Sequence, residues 1–220
     1  MIDVSNVKLP ITKDYVFLSD VNHVIFADVD KFLNSERIYA TRGEAWTRGY
    51  LLYGPPGSGK TSVIQAIASH HNLPIFNLRI SLCNNNEDLV MAFNAIRNHV
   101  ANEEIEKYIV ALEDFDKSTF FTKNMISFDL FYNSINGIVP DSGRILFMTC
   151  NDETVITAHP AICRPGRIDK MYNISYADEK QFTKLQELYD NTFITYEPNK
   201  TIAEWKERFR IGRNAAQTPL

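Results

Sequence analysis

The chain has 220 residues, 45% of them hydrophobic and 23% charged, which fits one or two soluble domains with a core of their own and excludes extended disorder. With 23 basic against 27 acidic residues the net charge is −4, so nucleic acid is not expected as the main partner, because non-specific nucleic-acid binders are usually basic. Cys83, Cys150 and Cys163 have the spacing of neither a disulfide framework nor a zinc motif. They read as free thiols in a soluble, intracellular, reducing compartment. No membrane segment is expected: no stretch reaches the ~20 apolar residues of a spanning helix, and residues 1–10 lack a signal-peptide core.

Along the chain, residues 1–27 read as short strands and turns, with apolar runs at 15–18 and 23–26. A helical period follows over 28–41, and Gly43 is its expected stop. Strands and helices then alternate: strand 49–53, helix 59–70, strand 74–78, helix 87–100, strand 108–112, helix 128–135, strand 144–149. Repeated alternation, with an unbroken apolar strand over 108–112, predicts an α/β fold whose parallel sheet is covered on both faces. Beyond residue 176 only helices are predicted, over 178–189 and 201–210, with a frayed tail over 212–220. The expected division is an N-terminal segment and lead-in helix (1–40), a nucleotide-binding α/β core (41–176) and a short helical lid and tail (177–220).

Gly54-Pro55-Pro56-Gly57-Ser58-Gly59-Lys60-Thr61 satisfies the full G-x-x-x-x-G-K-[ST] phosphate loop, directly after a strand and opening a helix. The glycines let backbone N–H groups surround phosphate oxygens, and the helix offers its positive end to the anion. Lys60 supplies a point charge to the terminal phosphates and Thr61 a hydroxyl to Mg²⁺; Lys60 is expected on an exposed loop. The nucleotide-binding set runs on through Ser62.

The strand Ile109-Val110-Ala111-Leu112 ends in Glu113-Asp114, which places two carboxylates where parallel sheets bind ligands. One is expected to hold Mg²⁺ and the other to orient or deprotonate an attacking water. Asn151 ends the next strand, where its amide can hold that water. Arg164-Pro165-Gly166-Arg167 puts two guanidinium groups around a stiff turn, suited to stabilising a transferred phosphoryl group from within the chain or from a neighbour.

In this order the motifs resemble the AAA+ ATPases, specifically the classical AAA clade. The closest resemblance is to the family of the mitochondrial chaperone that assembles the Rieske subunit of respiratory complex III. That closer likeness is carried by Arg48-Gly49-Tyr50-Leu51-Leu52-Tyr53 before the loop, the inverted Leu112-Glu113-Asp114-Phe115-Asp116, Phe147-Met148-Thr149-Cys150-Asn151 and Arg164-Pro165-Gly166-Arg167-Ile168-Asp169, across residues 24–176. The resemblance implies a P-loop NTPase (AAA+) parallel sheet sandwiched by helices, with a small helical C-terminal lid and the phosphate loop on its central strand. It further implies a homo-oligomeric ring that hydrolyses ATP with Mg²⁺ and remodels a protein client. By position Glu113 matches the Mg²⁺-associated acid, Asp114 the catalytic base, Asn151 the first sensor, and Arg164 and Arg167 the fingers acting in trans.

The chain departs from that pattern at three places. The chaperone's membrane anchor and most of its N-terminal domain have no counterpart here, so translocation is not implied. His159 stands where the family has Asp, and the lid is short. Between residues 81 and 88 there is no aromatic–x–Gly pore loop, which weighs against an unfoldase. The other function classes are a nucleotide-dependent binding switch with slow hydrolysis, an AAA protein acting on nucleic acid, and a P-loop kinase. His70-His71 falls at a helix end, where protonated imidazole is electrostatically favoured, and this reading ranks above a metal site. Phe115, Phe120 and Phe121 read as packing residues, and Ile202, Trp205 and Phe209 as the apolar side of a lid helix.

Overall fold

The computed structural model describes residues 2–5, 19–83, 85–117, 128–136, 141–154, 160–164, 166–190 and 193–216. The strands are β1 (Ile2–Ser5), β2 (Thr47–Tyr53), β3 (Ile75–Leu78), β4 (Tyr108–Leu112), β5 (Arg144–Cys150) and β6 (Lys170–Asn173). They form one sheet in the order β1-β3-β4-β5-β2-β6. β1 pairs antiparallel with β3, and all other pairings are parallel. The phosphate-loop strand β2 therefore lies between β5 and β6, one strand in from the edge rather than at the centre. β6 was not predicted: it is short and largely exposed, so it carries no apolar signature.

Alternation along the strands divides the core. In β4, Tyr108, Val110 and Leu112 face one layer while Ile109 and Ala111 face the other; β5 divides likewise, with Leu146 and Met148 opposite Ile145 and Phe147. The first layer is covered by α4 (Asn86–Asn102) and α5 (Phe128–Asn136), through Leu89, Phe93, Ile96, Phe131 and Ile135. The second is covered by α1 (Asp20–Leu33) and α3 (Lys60–His71), through Ile25, Val29, Phe32, Val63, Ile64 and Ile67. Burial on both faces explains why β4 is apolar throughout and β5 apolar except at Arg144 and Thr149, which are buried as well.

The expected strand at 23–26 is instead the middle of α1. Ser19 caps that helix, accepting from the Val21 N–H at 3.1 Å. Burial of Asn22, Ile25, Phe26, Val29, Phe32 and Leu33 follows the helical period. The run at 15–18, by contrast, lies outside the described residues. The predicted helix over 28–41 is really the end of α1 and a separate α2 (Glu36–Arg42). The break comes where the Phe32 carbonyl accepts from the Ser35 N–H, the Ser35 hydroxyl and the Trp46 indole instead of continuing the helical ladder. Gly43 ends α2 in the left-handed conformation at φ 66°, as predicted.

α6 (Glu179–Tyr189) and α7 (Ile202–Ala216) share their own small core of Ala177, Phe182, Leu185, Trp205 and Phe209. A reciprocal capping box between Asp178 and Gln181 starts α6. The tail expected to fray from 212 is helical as far as Ala216.

Asp28 on α1 fastens the lead-in helix to β2. It accepts from Arg48 through Nε at 3.1 Å and Nη2 at 2.8 Å, and from the Tyr50 hydroxyl at 2.8 Å. Burial, reinforced by the Asp28 charge, pushes the Tyr50 phenol far up, so it remains a donor. Asp28→Ala strands both donors. Urea unfolding is expected to lose about 1–3 kcal/mol, and a loss no greater than that of Tyr50→Phe would show that the Arg48 contact adds nothing.

Candidate nucleotide site

Parallel pairing brings the C-terminal ends of β2, β4 and β5 to one edge of the sheet. The loop 54–59, the Glu113-Asp114 pair and Asn151 therefore meet there. Gly54 has φ 143°, and a Cβ on it would stand 2.1 Å from the Ile174 carbonyl oxygen. Only glycine lets the loop leave β2 past β6.

Lys60 is 7% exposed, not on an open loop as expected. Its ammonium donates to the carbonyls of Gly54 at 2.7 Å and Pro55 at 3.0 Å, and to Asn151 Oδ1 at 3.0 Å. The loop folds back over its own lysine, and these acceptors balance the desolvation of the charge. The first expected sensor residue is thus in direct contact with the lysine.

A cavity of about 360 Å³ is lined on the loop side by Pro56, Gly57, Gly59, Lys60, Thr61 and Ser62, and opposite by Asp114, Thr149 and Asn151. That volume falls in the usual range for small-molecule sites, roughly 300–1,000 Å³. Glu113 lines the adjoining cavity beside Asn77–Ser81, with Asp114 common to both. Asp114 thus borders both spaces, and Glu113 only the adjoining one.

Asp114 sits at φ 51°, a left-handed conformation that Asp and Asn adopt more readily than other side chains. Its N–H donates to the Thr149 hydroxyl at 3.0 Å, and the Asn151 N–H donates to Asp116 Oδ2 at 3.0 Å. These two bonds tie the acidic turn after β4 to the end of β5. Asp116 and Thr149 had been given no role in the sequence; nothing but their places beside the acid pair and the sensor could have suggested one. Cys150 is neutral here, its thiol pushed up to about 12 by burial and the nearby Asp116 charge. It is no nucleophile.

The lid reaches the loop directly. The Ala203 N–H donates to the Gly57 carbonyl at 3.1 Å, and a Cβ on Gly57 would be 2.9 Å from the Ala203 Cβ. Ile202, Ala203 and Lys206 complete the wall of the phosphate-side cavity. Lys206 also lines a second cavity of about 200 Å³, enclosed by Ser19, Asn22, Ser58, Asn173, Asp178 and Gln181 among others. Burial and Arg210 lower its amine. Lys206 was missed in the sequence because it carries no motif; only the seating of α7 brings it to the site.

The turn with Arg164 and Arg167 is fastened to β2 through Asp169. Its carboxylate accepts from the N–H groups of Gly49 at 2.8 Å and Gly166 at 3.2 Å. Gly49 has no room for a side chain, since a Cβ would lie 1.7 Å from the Arg167 carbonyl oxygen. Arg164 is exposed. Arg167 is held within its own chain, 4.3 Å over the Tyr132 ring and donating to the Ala161 carbonyl at 2.9 Å. His159 and Pro165 lie outside the described residues, as do Phe120 and Phe121. Phe115 is core, packed on Phe131.

The residues fit a nucleoside triphosphate with Mg²⁺. The Ser58 hydroxyl is buried with no hydrogen-bond partner among the described residues, at the loop where phosphate oxygens would lie. The Thr61 hydroxyl and the two carboxylates are the oxygen donors that suit Mg²⁺. No helix of the described residues is long and apolar enough to cross a membrane.

Comparison with known proteins agrees with the fold. The probable mitochondrial chaperone bcs1 of Schizosaccharomyces pombe is 34% identical over 77% of this chain and 38% of its own length. The mitochondrial chaperone BCS1 of Homo sapiens is 31% identical over 73% of this chain and 39% of its own. An AAA-ATPase of Arabidopsis thaliana is 34% identical over 77% of this chain and 39% of its own. The chain thus spans about two fifths of the length of these relatives. The model of the ATPase family associated with various cellular activities matches residues 50–176, and the chain belongs to that AAA family.

Proposed function

We propose that the protein binds ATP with Mg²⁺ at this edge, hydrolyses it in a homo-oligomeric ring, and uses the cycle to remodel a protein client in a chaperone-like way. The observation that carries the reading is the convergence of Lys60, Asp114, Thr149 and Asn151 on one cavity closed by α7. The chaperone names of its relatives support the client class.

In this mechanism the loop N–H groups and the Ser58 hydroxyl hold the phosphate chain, and Lys60 exchanges its loop carbonyls for terminal phosphate oxygens. The second cavity, between α1, the loop and the lid, takes the base and ribose. Thr61 and Glu113 are the residues that would hold Mg²⁺, which would offset the negative charge that develops on the phosphate oxygens. Asn151 orients a water, and Asp114 accepts its proton as the water oxygen bonds to the terminal phosphorus and the bond to ADP breaks. Arg164 and Arg167 are assigned to the neighbouring subunit's phosphoryl group.

Lys60→Ala tests the assignment of the loop. Hydrogen bonds to charged groups contribute about 1.5–3 kcal/mol, so ATP affinity measured by calorimetry is expected to fall about 10- to 150-fold, with the circular-dichroism spectrum unchanged. ATP affinity near the unmodified level would remove the loop from the mechanism.

A further inference from the structure

The two histidines at the end of α3 take no part in the nucleotide chemistry, and the fold gives them a third companion. Asp30, forty residues earlier on α1, places its carboxylate 3.1 Å from His71 Nε2. The His70 ring stands 4.6 Å from the His71 ring and 6.0 Å from Phe26 of α1. One donor atom each from Asp30, His70 and His71 lies within 4.8 Å of the others, the one such group of three among the described residues.

We propose that Asp30, His70 and His71 form a site for a late first-row transition-metal dication, of which Zn²⁺ is the member to test. Two imidazoles and a carboxylate are a donor set that suits Zn²⁺. Zinc–ligand bonds of 2.0–2.2 Å place tetrahedral donors about 3.3 Å apart. The Asp30–His71 pair is already at that separation, and side-chain rotation brings in the third donor. The side chain of Asp30 is 53% exposed, which leaves room for water at the fourth position. Both histidines lie in the last turn of α3, whose unpaired carbonyls favour a cation. The metal fastens the lead-in helix to the far end of the helix that Lys60 begins. Mg²⁺ is disfavoured here, since it takes oxygen donors and holds its waters.

The test is a calorimetric titration of the whole protein with Zn²⁺, in buffer holding excess Mg²⁺ so that the nucleotide site is occupied by its own cation. One Zn²⁺ per chain is expected, with a rise in melting temperature. Even outer-shell changes typically cost 10–100-fold in metal affinity, so His70→Ala and Asp30→Asn should each weaken binding by at least about tenfold. His70→Ala is decisive, because it retains the Asp30–His71 pair and should melt like the unmodified protein without zinc. Cys163→Ser, which removes the half-buried thiol, should titrate unchanged. Zinc affinity equal in His70→Ala and the unmodified protein, binding lost only in Cys163→Ser, or no binding at micromolar zinc would each overturn the site. A melting temperature that falls in Asp30→Asn, while that of the unmodified protein does not respond to zinc, would leave Asp30 and His71 as an ion pair alone, and the proposal would be wrong.

Discussion

Replacing Asp114 by Asn is expected to leave Mg-ATP binding near its unmodified level and to slow hydrolysis by about 10²- to 10⁴-fold, the usual cost of losing a general base. The substitution is clean for a conformational reason. Asp114 has φ 51°, and Asn shares with Asp a tolerance for that region. The turn and the N–H bond to Thr149 are therefore retained, and only the proton acceptor is removed. Glu113→Gln should instead raise the Mg²⁺ concentration needed for half-maximal turnover. The geometry sharpens this comparison, because Asp114 lines both the phosphate-side cavity and the adjoining one, whereas Glu113 lines only the adjoining one. Single-turnover phosphate release against Mg²⁺ concentration separates the two. If the Mg²⁺ requirement moves in Asp114→Asn and the chemical step slows in Glu113→Gln, the roles of the inverted pair are exchanged.

The parts of this site that were legible in the sequence are those where local chemistry is unambiguous. A loop of that glycine spacing has few other uses, and the apolar runs over 108–112 and 145–148, ahead of Glu113 and Asn151, required buried parallel strands. Parallel strands then oblige their ends to meet. The burial of Lys60 was not legible, because it depends on carbonyls turning back over a side chain whose residue type favours exposure. Nor was the hold of the lid on the loop, which is a backbone bond from Ala203 to Gly57 and leaves no trace in side-chain pattern. The run His23-Val24-Ile25-Phe26 looked like a strand because four residues are too few to separate the two periods. Ser19 and the buried positions out to Leu33 decide for helix. Asp30 could not be linked to His70 and His71 from spacing at all, since only the packing of α1 on α3 brings them together.

Arg164→Ala is expected to bind ATP and to be nearly inactive, because arginine fingers contribute about 10³–10⁵ in rate. The two arginines differ in their surroundings. Arg167 is stacked on Tyr132 and bonded to the Ala161 carbonyl, so action on a neighbour requires it to leave that ring, whereas Arg164 already faces outward. Asp169 holds the turn to β2. In the proposed ring a subunit holds ATP without completing its own site, and turnover per subunit rises with protein concentration. Mixing Arg164→Ala with Asp114→Asn, each inactive alone, then restores part of the activity, since one kind of interface pairs an intact Asp114 with a neighbour's intact Arg164. Turnover independent of concentration, with no rescue on mixing, means that the arginines act within their own chain. Sizing by light scattering with a non-hydrolysable ATP analogue completes the argument: rings that assemble without rescue exclude action in trans, whereas a chain that stays monomeric under those conditions rules out the ring itself.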